Sequence, residues 1–296
     1  MIDKESKFSP DWISPPGETI SDLLEERDWN QVELARRLGF TTKHLNQLIK
    51  GKASLSEDAA LRLERVLGST AKFWLNREAI YREQLARQEA RKRYEDWTDW
   101  LDRLPLSWLK IVGVIPDQRI TESRKPELVE TLLKYFSVAS PNEWKEHYEN
   151  LQGSFRCARD ENSDIGAITS WLRMGEIEAE KIEAPKYSKV EFEKVLNEIR
   201  ALTVLSPCEI EPKIHAMCRQ AGVKLVLVHT APIAHVSGVA RWLNLHSPLI
   251  QLSLYEKTND KFWFAFFHEA AHILLHADNK QNIYLDDLNI DSNQRS

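Results

Sequence analysis

A mostly helical α+β fold follows from three features of the sequence. Apolar residues recur at helical spacing through most of residues 17–221. Three short runs of strand-forming character follow Gly222, spaced by turns bearing Pro and Asn. A further apolar helix then carries His-Glu-x-x-His. Helices, a small sheet and one more helix place an all-helical domain first and an α+β domain behind it.

At 296 residues the chain is long enough for two domains, each with its own core. The net charge of −5 means that any attraction to nucleic acid has to come from a local basic surface. Three cysteines, Cys157, Cys208 and Cys218, lack metal-ligand spacing, and the N-terminus has no signal-peptide pattern. A reducing cytoplasm is the expected location. The only long apolar run holds the His-Glu-x-x-His motif, and its charged residues and short length argue against a membrane span.

In chain order, residues 1–16 are a polar lead ending in Ser14-Pro15-Pro16-Gly17, which predicts a flexible start. Glu18 to Asp28 spaces Ile20, Leu23 and Leu24 as one helix. Asn30 is placed to cap a second, Gln31 to Leu38, which Gly39 ends. A third runs from Lys43 to Ile49 after Thr41 or Thr42, and a fourth, Glu57 to Leu67, buries Ala60, Leu63 and Leu67 before Gly68.

Two short helices joined through a glycine turn within such a set describe a helix-turn-helix. Lys43, His44, Asn46 and Gln47 occupy faces of the third helix that Leu45, Leu48 and Ile49 do not need. Amides pair with adenine edges and lysines neutralise phosphates, so this face suits DNA. Arg36, Arg37, Lys50 and Lys52 add local positive charge. The competing reading is a helical interaction module with a solvated polar face.

Ser69 is positioned to cap a long helix from about Lys72 through Arg93 and on toward Leu101. Its charged stretch Arg87 to Arg93 reads as an exposed connector or as a basic strip near DNA. Leu104-Pro105-Leu106 marks the domain boundary, giving 17–104 and 105–296. Beyond it, Pro126–Tyr135, Pro141–Asn150, Asp164–Gly175, Ser188–Thr203 and Glu209–Gln220 are the expected helices, with Trp144 and Trp171 in the core. Val223–Val228, Ser237–Leu243 and Leu249–Leu254 are the expected strands, the third a candidate sheet edge for an incoming peptide. Asn259 and Asp260 open the last helix.

His268 and His272 lie four residues apart, about 40° around the helix axis, so both imidazoles can face one Zn²⁺. Glu269 beside them is placed to take a proton from water. A chance occurrence of the motif in such a chain is about one in a hundred. A third ligand is not found: His276 lies about 12 Å along the axis from His268 and reads as a helix-end histidine. Only Asp286, Asp287 and Asp291 follow, in a polar tail. His235 and Arg241 flank the strand before the motif and are placed for contact with a substrate carbonyl. The segment Trp171-Leu172-Arg173-Met174-Gly175-Glu176 is a polar cluster without a derived purpose.

Gln31 to Gly39, with Leu45-Asn46-Gln47-Leu48-Ile49-Lys50-Gly51-Lys52, resembles the Cro/C1-type (XRE) helix-turn-helix in the branch of HigA-type antitoxins. Ala59 to Gly68 and Phe73-Trp74-Leu75-Asn76 extend that match. The resemblance implies a homodimer on a palindromic operator, Gln31 against a phosphate, and Thr42, Lys43, Asn46 and Gln47 facing the major groove, beside Thr41, His44 and Lys50. It also implies a cognate toxin as partner. From about Leu106 onward the chain is similar to the ImmA/IrrE family of metallopeptidase-like domains. The residues that carry this are Phe136 to Pro141, Trp171 to Glu176, Ser237 to Trp242, Ile250 to Leu254 and Phe262 to His276. That likeness implies His268, His272 and a later glutamate as zinc ligands, Glu269 as base, and cleavage of a repressor or other regulator. The family's glutamate lies on a further helix after a tail like Asp286 to Asn293, so the expected domain is short of its last helices.

The sequence therefore predicts a DNA-binding regulator of antitoxin type with a peptidase-like, catalytically reduced sensing domain. The alternatives are an active zinc endopeptidase, completed by Asp286, Asp287 or a partner subunit, and a pure interaction protein.

Overall fold

The computed structural model describes residues 13–154, 165–229, 231, 234, 236–253, 258–275 and 284–287. It forms two compact units, one ending at Arg93 and the other beginning at Tyr94. The division precedes Leu104-Pro105-Leu106 because Trp100, Leu101 and Leu104 are buried in the second unit's core.

The first unit contains α1 (Pro16–Glu26), α2 (Gln31–Leu38), α3 (Thr42–Ile49), α4 (Glu57–Leu67) and most of α5 (Ala71–Asp96). Ile20, Leu34, Leu45, Leu63 and Trp74 fill its core. Each such burial is worth about 1.5–3 kcal/mol before entropy is counted. The helix starts are capped at Asn30 as expected, at the first of the two threonines offered, and at Ser56, which the sequence reading did not single out. Asn30 accepts from the Glu33 amide at 2.9 Å, Thr41 from the His44 amide at 3.1 Å and Ser56 from the Ala59 amide at 3.2 Å. Gly39 takes the left-handed conformation at φ 71° that stops α2.

Two local expectations need correcting. Residues 1–12 of the expected flexible lead lie outside the described residues, but Pro16 and Gly17 are packed into the first turn of α1. A Cβ on Gly17 would sit 1.9 Å from the Ile49 carbonyl oxygen, so α1 reaches the end of α3 only because this residue has no side chain. At the start of α5, Thr70 is the cap rather than Ser69. Its hydroxyl accepts from the Phe73 amide at 3.2 Å, while Ser69 is left-handed at φ 57°.

In the second unit a 3₁₀ turn (Thr98–Arg103) leads to α6 (Leu106–Ile111), α7 (Lys125–Phe136), α8 (Pro141–Ser154), α9 (Ile165–Glu180), α10 (Lys189–Ile199) and α11 (Pro207–Gln220). Then come β1 (Lys224–Val228), β2 (Val236–Asn244), β3 (Ser247–Ser253), α12 (Asn259–Leu275) and β4 (Tyr284–Asp287). The sheet order is β1-β3-β2-β4. β1 runs parallel to β3, and β2 is antiparallel to both of its neighbours.

The third run is therefore an inner strand and not an edge. Leu249, Ile250, Gln251 and Leu252 are all buried, as a strand covered on both faces requires. The tail expected to be polar and irregular supplies β4, with Asp286 opposite Gly238 and Asp287 opposite Val236.

Side-chain alternation gives the sheet two different faces. Leu225, Ala240, Ile250 and Leu252 share a core with Phe192, Ile214, Trp263 and Phe266, so α10, α11 and α12 cover that side. Val226, Val239 and Leu249 share the other core with Trp144, Trp171 and Phe136, under α7, α8 and α9. Both expected core tryptophans are fully buried there. α9 runs past Gly175 because that glycine serves close approach instead of ending the helix: a Cβ would meet the Gln251 amide at 1.9 Å.

Candidate nucleic-acid interface and metal-motif site

On α3, Thr42, Lys43, Asn46, Gln47 and Lys50 fall within an arc of about 140°, at 100° per residue. Leu45 and Leu48 occupy the opposite side and are buried. Thr42, Lys43, Gln47 and Lys50 are exposed, as is Thr41 at the cap, while His44 and Asn46 are half-buried. The ring of His44 meets Phe40 edge-on at 5.0 Å, and the Asn46 amide donates to the Gln31 side-chain oxygen at 3.3 Å. Every residue expected on the reading helix is thus on its free or half-free side.

What holds this face in place was largely invisible in the sequence. The Arg62 guanidinium donates to the Leu38 carbonyl at 2.9 Å, closing the end of α2. Arg27 donates to the Val66 carbonyl at 2.8 Å and to that of Leu67 at 2.6 Å, which satisfies the end of α4. After α3, Gly51 is left-handed at φ 66° and the Tyr81 hydroxyl lies 2.3 Å from where its Cβ would be, so α5 locks the following loop. Arg37 stacks 4.1 Å from the Trp29 ring centroid and bonds Glu33 at 2.7 Å. Arg36 and Lys52 remain exposed.

On α12 the motif side chains are held differently. His268 and His272 bring their Nε2 atoms to 3.0 Å, and Phe264 stacks on His268 at 5.9 Å. Two nitrogens on one tetrahedral zinc, each about 2.05 Å from it, would lie about 3.3 Å apart. The two imidazoles therefore fit two corners of such a site. No group of three or more His, Cys, Asp or Glu suited to a metal occurs among the described residues. Glu269 is 1% exposed, and a Cβ on Gly238 would come 2.7 Å from its carboxylate, so β2 makes room for it with a glycine. Phe264 is 64% exposed, so the motif face is less closed than the apolar sequence suggested.

Arg241 does not face this site. It projects to the other side of the sheet, 4% exposed, and donates to the Glu176 carboxylate at 2.7 Å and the Leu172 carbonyl at 2.6 Å. Arg173 binds the same Glu176 at 2.7 Å and the Tyr135 carbonyl at 2.7 Å. The polar cluster of α9 is therefore a clamp between helix and sheet, completed by Gln251 donating to the Trp171 carbonyl at 2.7 Å. His235, His276, Asp291, Phe155 and Arg156 lie outside the described residues. Cys218 is buried, with its thiol pushed up to about 12 by desolvation.

A short helix ended by a left-handed glycine and followed by an exposed polar helix defines a helix-turn-helix domain. Residues 20–74 match the family model described as Helix-turn-helix. The chain is 34% identical over 61 residues to the Escherichia coli HTH-type transcriptional regulator YddM, covering 21% of this chain and 65% of that one. It is 29% identical over 75 residues to virulence-associated protein I of Dichelobacter nodosus, covering 25% and 69%. Among solved structures, it is similar to the Pseudomonas aeruginosa antitoxin HigA with the higBA promoter, at 29% identity and TM-score 0.27, covering 28% of this chain and 90% of that one. Another is PA4674 from Pseudomonas aeruginosa with its operator DNA, at 30% identity and TM-score 0.26, covering 28% and 91%. No helix among the described residues is long and apolar enough to cross a membrane.

Proposed function

We propose that this chain is a sequence-specific DNA-binding transcriptional regulator of antitoxin type, reading operator DNA as a homodimer through α3. The observation that carries the reading is the stripe of exposed Thr42, Lys43, Gln47 and Lys50 around half-buried Asn46, on a helix that buries Leu45 and Leu48 on its opposite side. Amides and lysines at this spacing suit base edges and phosphates in a major groove. The match to an uncharacterized HTH-type transcriptional regulator supports it. A cognate toxin is the protein partner this type implies, and the second unit is its sensing domain, similar to the ImmA/IrrE peptidases. Gel-shift titration on the DNA upstream of the chain's own coding region tests the reading. Binding should weaken as salt rises. No shift even at low salt would remove the claim.

A second reading, a zinc-dependent endopeptidase acting on a repressor or other regulator, draws support from the convergence of His268 and His272. These two would hold the metal, and Asp286, Asp287 or a partner subunit would have to complete the set. A bound zinc would supply a Lewis acid for a peptide carbonyl. Glu269 would take the proton of the attacking water, held in place by β2. The purified chain should then carry about one zinc, and His272→Ala should lose it. Equal metal content in both proteins would exclude the reading.

A further inference from the structure

We infer that the cleft between the end of α9, α11 and the outer edge of β1 is a binding site for a small hydroxylated organic anion, a sugar phosphate or a sugar acid. The inference depends on neither the DNA reading nor the zinc reading.

Helical spacing builds one wall of the cleft. Ile210, Ile214 and Cys218 turn one side of α11 into the core, and Pro212, His215, Ala216 and Arg219, at i, i+3, i+4 and i+7, line the cleft on the other. Pro212 and Ala216 are compact, so this wall leaves a volume of about 510 Å³, in the range of small-molecule sites. Pro212 stands inside the helix, where a proline removes a ladder donor at a cost of about 3 kcal/mol. Such a breach of local preference is typical of a functional surface. Among the described residues β1 pairs with β3 alone, so its other edge forms the floor.

Charge and hydrogen bonding then select the ligand. Lys181 and Arg219 set two cations around the cleft against the one carboxylate of Glu183, which favours an anion. Lys181 is tied to Glu178 at 2.7 Å near the surface, a pair weak enough to give way. Arg219 is exposed and has no ion-pair partner among the described residues. His215 supplies the neutral contact. Its hydrogen bond with the Leu225 backbone raises its pKa, so the imidazole donates and the Leu225 carbonyl accepts. Burial keeps the ring uncharged at neutral pH, which leaves its second nitrogen as an acceptor. An acceptor set among cations suits a hydroxyl carried beside a phosphate or carboxylate, and the volume has room for both.

Calorimetric titration of the full chain with glucose 6-phosphate, gluconate, glucose and inorganic phosphate tests this. Glucose 6-phosphate or gluconate should bind at least about tenfold more tightly than glucose or phosphate, because only they offer both groups. The tighter of the two identifies the anionic group. Arg219→Glu should weaken that binding by about tenfold or more. Lys213→Glu, the same charge change on an exposed residue of α11 outside the cleft, should alter it by less than about twofold. Nitrogen NMR of the histidine rings should show one imidazole shifting on binding, and His215→Gln should remove that signal. Equal losses from Arg219→Glu and Lys213→Glu would reduce the effect to general charge and overturn the inference, and binding that leaves every imidazole unmoved would place the ligand elsewhere. No binding of any probe up to about 10 mM, or equal binding of all of them, would overturn it as well.

Discussion

α3 and α12 each carry candidate functional side chains one turn apart, and the molecule supports them in opposite ways. On α3 the polar residues face outward, and the surroundings touch them mainly through the half-buried pair of Asn46 and Gln31. On α12 Glu269 is sunk against β2, and the opening at Gly238 is shaped to its carboxylate. An outward-facing site leaves its helix to be held from behind, so the structural burden falls on residues with no functional chemistry, such as Gly17, Arg62 and Tyr81. A sunken candidate residue is also part of the scaffold. Substitutions should therefore separate binding from stability in the first unit and mix them in the second.

The sharpest way to break that contrast lies in the second unit. Arg241→Ala removes a buried side chain that donates both to Glu176 and to the Leu172 carbonyl, so it should cost about 3 kcal/mol in denaturant unfolding followed by tryptophan fluorescence. Glu176 then keeps only Arg173. In the first unit, Gly17→Ala drives a Cβ into the Ile49 backbone, which cannot rotate away as a side chain could. A loss of about 2–3 kcal/mol is expected, with weaker DNA binding because α3 itself must shift. Thermal melts and gel shifts on one preparation would show both. A Gly17→Ala protein of unchanged melting temperature would mean that α1 does not brace α3.

Reading-face substitutions should show the reverse pattern. Lys43→Ala and Gln47→Ala remove exposed side chains, so melting should move by no more than about 0.5 kcal/mol. Lys43→Ala should weaken binding to all duplexes and lower the salt slope by about one. Gln47→Ala should act on one base position. A large stability loss from either would contradict the outward placement of this face.

How much of this was legible in the sequence depends on the range of the forces involved. α2, α3 and α4 could be read almost to the residue, because Asn30, Gly39, Thr41, Ser56 and Gly68 act within a turn of the helix ends they set. Gly17 could not be read this way: its reason is a carbonyl thirty-two positions away. The same holds for β3, whose apolar run is compatible with edge or centre until parallel pairing with β1 places it inside. Arg241 seemed to belong beside the metal motif because it is near in sequence. Strand alternation, with a period of two, turns it to the opposite face from Gly238. β4 escaped notice because Tyr284–Asp287 is short and half acidic, and its pairing with β2 is a tertiary fact.

The smallest effect concerns acid. His215 on α11 lies half-buried, hydrogen-bonded to the Leu225 backbone, and burial lowers its pKa below the usual 6.5 more than the nearby Glu211 carboxylate and that hydrogen bond raise it. The folded chain thus resists a proton that the unfolded chain accepts. Its contribution to stability is complete above pH 6.5 and is lost as the pH falls through and below that value. His215→Gln, which cannot titrate, should flatten this part of the second unit's stability profile in urea melts between pH values of about 7 and 5. The buried tryptophans Trp144 and Trp171 report the unfolding of the second unit, and the comparison with His215→Gln separates His215 from that unit's other histidines. An acid-induced loss identical in wild type and His215→Gln would show that the sensitivity lies in other groups than His215.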